Sequence, residues 1–230
     1  MLRPAALIFS LILFLSASVS SAAPFTTIVT PNQLGEPDLV SSLDTIYGPG
    51  GYVRITDAVD TLWTIQGTTF SVKAVSSFAS SLVSFGLCIV CDGSDDITYT
   101  PSIDPNTKSI LDLPLAANSN IADGIYSLFT DSTLADPNYA GSVGRVFSSP
   151  LLNPLGADHM VTFQVVGKPN TYIVAFEDWF ETSNVASDRD FNDVALEITA
   201  YPIPEPGSMA LLGGGLIAAF GLLRRRSKTA

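Results

Sequence analysis

The sequence predicts an all-β protein: a single β-sandwich or jelly-roll-like domain, preceded by a signal peptide and followed by a short transmembrane helix. Three observations carry that expectation. Many short runs rich in Val, Ile, Thr and aromatic residues alternate apolar with polar positions. Clusters of Gly, Pro, Asn, Asp and Ser separate those runs. No long segment repeats its apolar residues at the helical period, and no fixed-period internal repeat is present.

The chain opens with "MLRPAALIFSLILFLSASVSSAAP". Arg3 gives a basic start, Ala5 to Leu15 an apolar core, and Ser20-Ser21-Ala22 the small residues that a signal peptidase recognises. Residues 1–22 are therefore expected to be a secretory signal peptide, cleaved after Ala22. Residues 23–203 are the expected extracytoplasmic domain, one unit by length. Within it "GYVRIT", "LWTI", "TTFSVKAV" and "SLVSFGLCIV" read as strands. "PLAANSNIADGIYSLF" is the stretch with room for one short helix. "HMVTFQVV" alternates, with Val161, Phe163 and Val165 on one side and Thr162 and Gln164 on the other. The turn "GKPN" follows, and "TYIVAFEDW" begins a return strand with Tyr172, Val174 and Phe176 on one face. Together they predict a hairpin. "DVALEITAY" is the last strand, and "YPIPEPGS" a short stiff linker.

Beyond the linker, Met209 to Leu223 is an unbroken apolar run of 15 residues. As a helix it covers roughly 22 Å, against about 30 Å of bilayer hydrocarbon. A span over 207–223 thus needs Gly207 and Ser208 drawn in and the following arginines reaching up to the headgroups. The basic end belongs on the cytoplasmic side.

Acidic residues number 22 and basic residues 11, for a formal net charge of −11. Five of the basic residues (Arg3, Arg224, Arg225, Arg226 and Lys228) lie in the two terminal segments, so the domain is more acidic still. Nucleic acid and anionic lipid need basic surface and are not expected partners. Cations suit this charge, although acidity also serves simply to keep an exported protein soluble. Cys88 and Cys91 are the only cysteines. Export places them in an oxidising compartment and predicts a structural disulfide. Zinc needs two further ligands of the right type, and His159 is the only histidine. Haem attachment needs a His after the second Cys, where Asp92 stands.

Pro204-Glu205-Pro206 precedes the apolar run, and Arg224-Arg225-Arg226 closes it. Tripeptide, spacing and basic end together resemble the PEP-CTERM sorting signal, over residues 204–230. That resemblance implies handling by exosortase, a membrane cysteine peptidase of Gram-negative bacteria that make exopolysaccharide. It implies transient inner-membrane insertion, cleavage near Pro206, and a mature form at the cell surface or in the extracellular matrix. A glycolipid-anchor signal shares the apolar tail but lacks terminal arginines.

The stretch "AFEDWFETSNVASDRDFNDVALEI" concentrates the internal chemistry. A strand ends at Glu177-Asp178, and Asp188, Asp190, Asn192 and Asp193 follow a polar excursion. A set rich in oxygen and free of thiol and imidazole suits a hard cation, calcium above all. In extended chain Asp188, Asp190 and Asn192 share a direction, and Asp193 opposes them unless the chain turns. The set is not an EF-hand: counted from Asp188, position 6 is Asp193 instead of Gly and position 12 is Thr199 instead of Glu. The competing reading is that these acids cap loop backbone groups or are plain solvated charge. Mutual repulsion of close carboxylates favours a neutralising cation. Phe176-Glu177-Asp178 and Asp188-Arg189-Asp190-Phe191-Asn192-Asp193 resemble the FED and D-x-DFND motifs of a bacterial surface-protein domain, over Thr171 to Thr199. The resemblance implies a β-rich extracellular module; calcium follows from the donor chemistry and not from the family. Arg189 lowers the local negative charge, and Phe191 and Trp179 read as packing. Asp92, Asp95 and Asp96 in "CDGSDD" read as a solvated turn.

No G-x-S-x-G elbow is present. His159 opens a strand and reads as structural. The expectation is a non-catalytic exported protein of the cell surface or exopolysaccharide matrix, with calcium stabilising it or bridging it to polymer. The alternatives are a glycan-binding or glycan-hydrolysing β-sandwich, which needs only two suitably spaced carboxylates, and a permanently membrane-tethered protein.

Overall fold

The computed structural model describes residues 26–31, 36–79, 82–103, 109–117, 120–133, 144–179 and 187–203. The expected signal peptide and the sorting segment, with Pro204, Glu205, Pro206, the 207–223 span and Arg224 to Arg226, lie outside them. Among the described residues no helix is long and apolar enough to cross a membrane.

Among the described residues the domain is all-β apart from one helix of 9 residues, α1 (Leu39–Tyr47), and three 3-10 turns. Its strands are β1 (Tyr52–Arg54), β2 (Leu62–Ile65), β3 (Val72–Ser77), β4 (Leu82–Cys88), β5 (Ile97–Ile103) and β6 (Ser109–Ala117). They continue as β7 (Gly124–Thr133), β8 (Arg145–Phe147), β9 (Met160–Val165), β10 (Thr171–Phe176), β11 (Val194–Thr199) and β12 (Tyr201–Ile203). Hydrogen bonding links them in the order β1-β9-β10-β11-β3-β6-β5-β4-β7-β2-β12, with β8 on β7. Every pairing is antiparallel.

Two apolar cores hold this path. In the larger, Trp63 of β2 meets Tyr172 of β10 edge-on at 5.3 Å, and Phe85 of β4 meets Phe176 of β10 at 6.4 Å. These strands are not neighbours in the path, so its two halves face each other across that core. In the smaller, Leu39 and Leu43 of α1 pack on Val75, Phe163, Ile173 and Phe191. The central strands are therefore covered on both faces, and all of β10 is buried. The predicted hairpin is present: β9 pairs β10 with Phe176 opposite Met160. The predicted alternation also holds, since Tyr172, Val174 and Phe176 enter the larger core and Ile173 and Ala175 the smaller.

The short helix lies elsewhere than expected. The tail of "PLAANSNIADGIYSLF" becomes the start of β7, which pairs β4, β2 and β8. Three pairings outweigh a weak local preference. The helix is α1 instead. Asp38 caps it, its carboxylate accepting the Ser41 N–H at 2.8 Å. Leu39 and Leu43, one turn apart, face the sheet. Gly48, at φ 75°, ends it by donating its N–H to Asp44 O.

Cys88 and Cys91 form the expected disulfide. It packs with Phe129 and Phe147 in a small outer cluster. Gly86 sits opposite Phe129, and a Cβ there would come within 2.2 Å of the ring. On the same ring, the Arg145 guanidinium lies 4.2 Å from the centroid and pairs with Asp96 and Asp131. The remainder of "CDGSDD" caps its own turn: Asp95 accepts the Ile89 and Val90 N–H groups, and Asp92 accepts that of Ser94.

Candidate metal centre

The centre forms where β10 ends and β11 begins. Phe176 and Val194 are partners across that ladder, so Glu177 and Asp178 emerge beside Asp193. The Asp178 N–H donates to Asp193 Oδ2 at 2.8 Å. The Asp193 carbonyl accepts from Ser77 Oγ and from the N–H groups of Phe78 and Ala79, which fixes it to the end of β3. His159, just before β9, grips the Glu177 backbone at both polar groups. Its carbonyl accepts the Glu177 N–H at 3.0 Å, and its Nδ1 lies 3.1 Å from the Glu177 carbonyl oxygen. His159 thus braces the Glu177 backbone.

The loop over 187–193 is not an extended segment. Arg189 and Phe191 both adopt left-handed backbone, at φ 54° and 55°. Each such non-glycine costs on the order of 1–3 kcal/mol and persists only where surroundings hold it. Phe191 is fully buried in the core beneath α1. The Arg189 carbonyl accepts the Val29 N–H, and the Asn192 side-chain amide donates to the Pro37 carbonyl at 3.2 Å. These turns replace the expected alternation and bring the loop acids back toward β10.

The five acids among the six residues singled out from the sequence converge. Glu177, Asp178 and Asp193 form one carboxylate group, and Glu177, Asp188 and Asp190 another, each with ligand atoms within 4.8 Å of one another. Asn192 serves as a tie to the N-terminal segment, with its amide on Pro37 and its N–H on Asp190 Oδ1. Glu177 and Asp190 are each 1% exposed and Asp178 0%, while Asp188 is the least buried of the five. Glu177 Oε2 and Asp190 Oδ2 are buried without a hydrogen-bond partner. Burial, reinforced by the Asp188, Asp178 and Asp190 charges, pushes Glu177 up to about 8. Burial pushes Asp190 up to about 6, opposed by the Asn192 N–H hydrogen bond and aided by the Asp188 charge. Burial, then Asp178 and Glu177, holds Asp193 well above the ordinary carboxylate range. Burial of this kind is costly unless protons or a cation neutralise the charge. The donors are all oxygen, which matches a hard divalent cation.

A second acidic patch escaped the sequence. Thr26 donates its N–H to Asp57 and its hydroxyl to Asp158, and Asp60 lies near enough to feel both carboxylates. Arg54 pairs with Asp57 at 3.2 Å. Burial raises Asp158 to about 6 and raises Asp60 as well. About a hundred residues separate Asp158 from Asp57 and Asp60, so no local motif announces it.

An all-β domain with a buried carboxylate centre and an attached export signal defines an exported surface module. Residues 84–201 match the family described as "Domain of unknown function (DUF4114)", and residues 202–226 match the PEP-CTERM protein-sorting motif. The chain belongs to the DUF4114 family, and its sorting motif makes it an exported, exosortase-sorted protein. No curated protein and no solved structure shows a significant match. The family match starts inside β4, yet β3 lies between β11 and β6. The segment from α1 to β3 is therefore part of the same folded unit. The sorting motif begins within β12, which pairs with β2.

Proposed function

We propose that this chain is a non-catalytic, calcium-stabilised β-sandwich, delivered by exosortase to the cell surface or the exopolysaccharide matrix. The observation that carries the calcium reading is the pair of buried, unpartnered carboxylate oxygens on Glu177 and Asp190, set among three further acids. Calcium takes six to eight oxygens in flexible geometry, and extracellular modules work with weak to moderate affinities. The facing halves of the strand path support the sandwich. The apolar run over 207–223 acts as a temporary inner-membrane holdfast.

The non-catalytic reading rests on burial. A glycosidase pair must flank a bond in an open cleft, whereas Glu177, Asp178 and Asp190 are shut away from polymer. Among the described residues, surface hollows of about 360 and 290 Å³ are lined by residues such as Val53, Lys168, Phe70 and Asn120 and carry no acid. The centre thus stiffens the module, and contact with polysaccharide falls to its outer surface. The test is thermal melting of the domain, residues 23–203, in EDTA and in about 2 mM calcium. A melting point that rises with calcium supports the reading; one indifferent to calcium removes it.

A further inference from the structure

We propose that the centre holds two calcium ions bridged by the carboxylate of Glu177. This rests on the calcium reading above and adds its stoichiometry. Calcium–oxygen bonds run about 2.3–2.6 Å, so two oxygens on one ion lie at most about 5 Å apart. Each of the two carboxylate groups meets that limit, with ligand atoms within 4.8 Å, and the five acids fall into two groups that share Glu177. The groups also differ in origin. Asp178 and Asp193 come from the paired ends of β10 and β11; Asp188 and Asp190 come from the loop that Phe191 anchors.

Glu177 is equipped to bridge. Its Oε2 is buried without a partner, its Oε1 accepts a long hydrogen bond, 3.3 Å from the Trp179 N–H, and its carboxyl group also interacts with that of Asp193. Glu177 is also the one acid that belongs to both groups. In the loop group the buried Asp190 Oδ2 likewise lacks a partner. Charge gives the same stoichiometry. With all five carboxylates ionised, one calcium leaves three negative charges that only protons can neutralise, and two leave one. Isolated buried charge of that size is not tolerated. Backbone carbonyls and water complete each shell.

The exported protein, purified after EDTA treatment and dialysis, is titrated with calcium by calorimetry and weighed by native mass spectrometry. Two ions per chain are expected. Asp188→Asn should lose one of them, Asp178→Asn the other, and Glu177→Gln both. Energy transfer from bound Tb³⁺ to bound Nd³⁺ within one molecule of the unaltered protein gives a second count that needs no variant. A single ion, lost equally in all three variants and with no energy transfer, overturns the bridge and leaves the calcium reading standing. No bound ion at millimolar calcium overturns the calcium reading itself.

Discussion

Raising pH without divalent metal should destabilise the domain, and calcium should reverse the effect. Burial and its acidic neighbours set Glu177 at about 8 and Asp190 at about 6 in the folded protein. In the unfolded chain such groups titrate near 4. The folded values are the higher ones, so the folded state holds extra protons between them. That stability is fully present below about pH 4 and is lost as pH rises through 6 and then 8. Each tenfold change in proton affinity is worth about 1.4 kcal/mol. With loop relaxation allowed for, Glu177 accounts for a loss on the order of 2–4 kcal/mol between pH 5 and 9. A domain of this size shifts by about 2–4 °C per kcal/mol, which gives a fall in Tm of roughly 5–15 °C. Calcium works with the opposite sign, because ionised carboxylates bind it. Free calcium at a hundredfold excess over Kd adds about 2.7 kcal/mol per site, a gain of roughly 5–11 °C at pH 8, and much less at pH 5 where protons compete. Scanning calorimetry across pH, in EDTA and in calcium, measures both curves. Glu177→Gln should shrink the loss near pH 8, leaving the share due to the raised Asp193, and keep the step near pH 6, to which Asp158 also contributes. A metal-free Tm that stays level or rises between pH 6 and 9 would refute the reasoning.

Other outcomes follow from the packing. A chain spanning 84–203, the family match alone, should fail to give a cooperative melt, because it lacks β3 from the middle of the strand path; residues 23–203 should melt cooperatively. Phe191→Ala should cost about 3–5 kcal/mol and weaken calcium binding, since the ring anchors the ligand loop; chemical denaturation with and without calcium separates the two effects. Replacing both Cys88 and Cys91 by Ser should cost about 2 kcal/mol, the chain-entropy value for so short a loop, and leave the calcium-induced shift in Tm intact. Arg145→Ala should cost about 1–2 kcal/mol through lost contact with Phe129 and two carboxylates, again with calcium response unchanged.

The legible parts of the fold were those that local pattern controls. β9 and β10 alternate cleanly around a turn, and their hairpin has the expected faces. β5 and β6 carry Pro101 and Pro114 inside the strand, which breaks the usual signal. β7 is held by three partner strands distant in sequence, so its own residues did not declare it. The second face of the central strands was hidden because α1 is short and its stripe rests on Leu39 and Leu43. At the centre, Glu177, Asp178, Asp188, Asp190 and Asp193 were visible because they cluster in sequence and oxygen chemistry limits what they bind. Their spatial division into two groups was not visible. It depends on left-handed turns at Arg189 and Phe191, residue types that do not advertise such backbone. The grip of His159 on Glu177 and the patch of Asp57, Asp60 and Asp158 are long-range contacts with no local spacing to reveal them.

The most direct measurement is diffraction from crystals of the domain grown in millimolar calcium and from matched crystals soaked in EDTA. The account predicts difference density beside Glu177 with oxygen contacts of about 2.4 Å, present in the first set and absent from the second. Identical density in both sets, with protonated carboxylates hydrogen-bonded to one another and no ion, would contradict it.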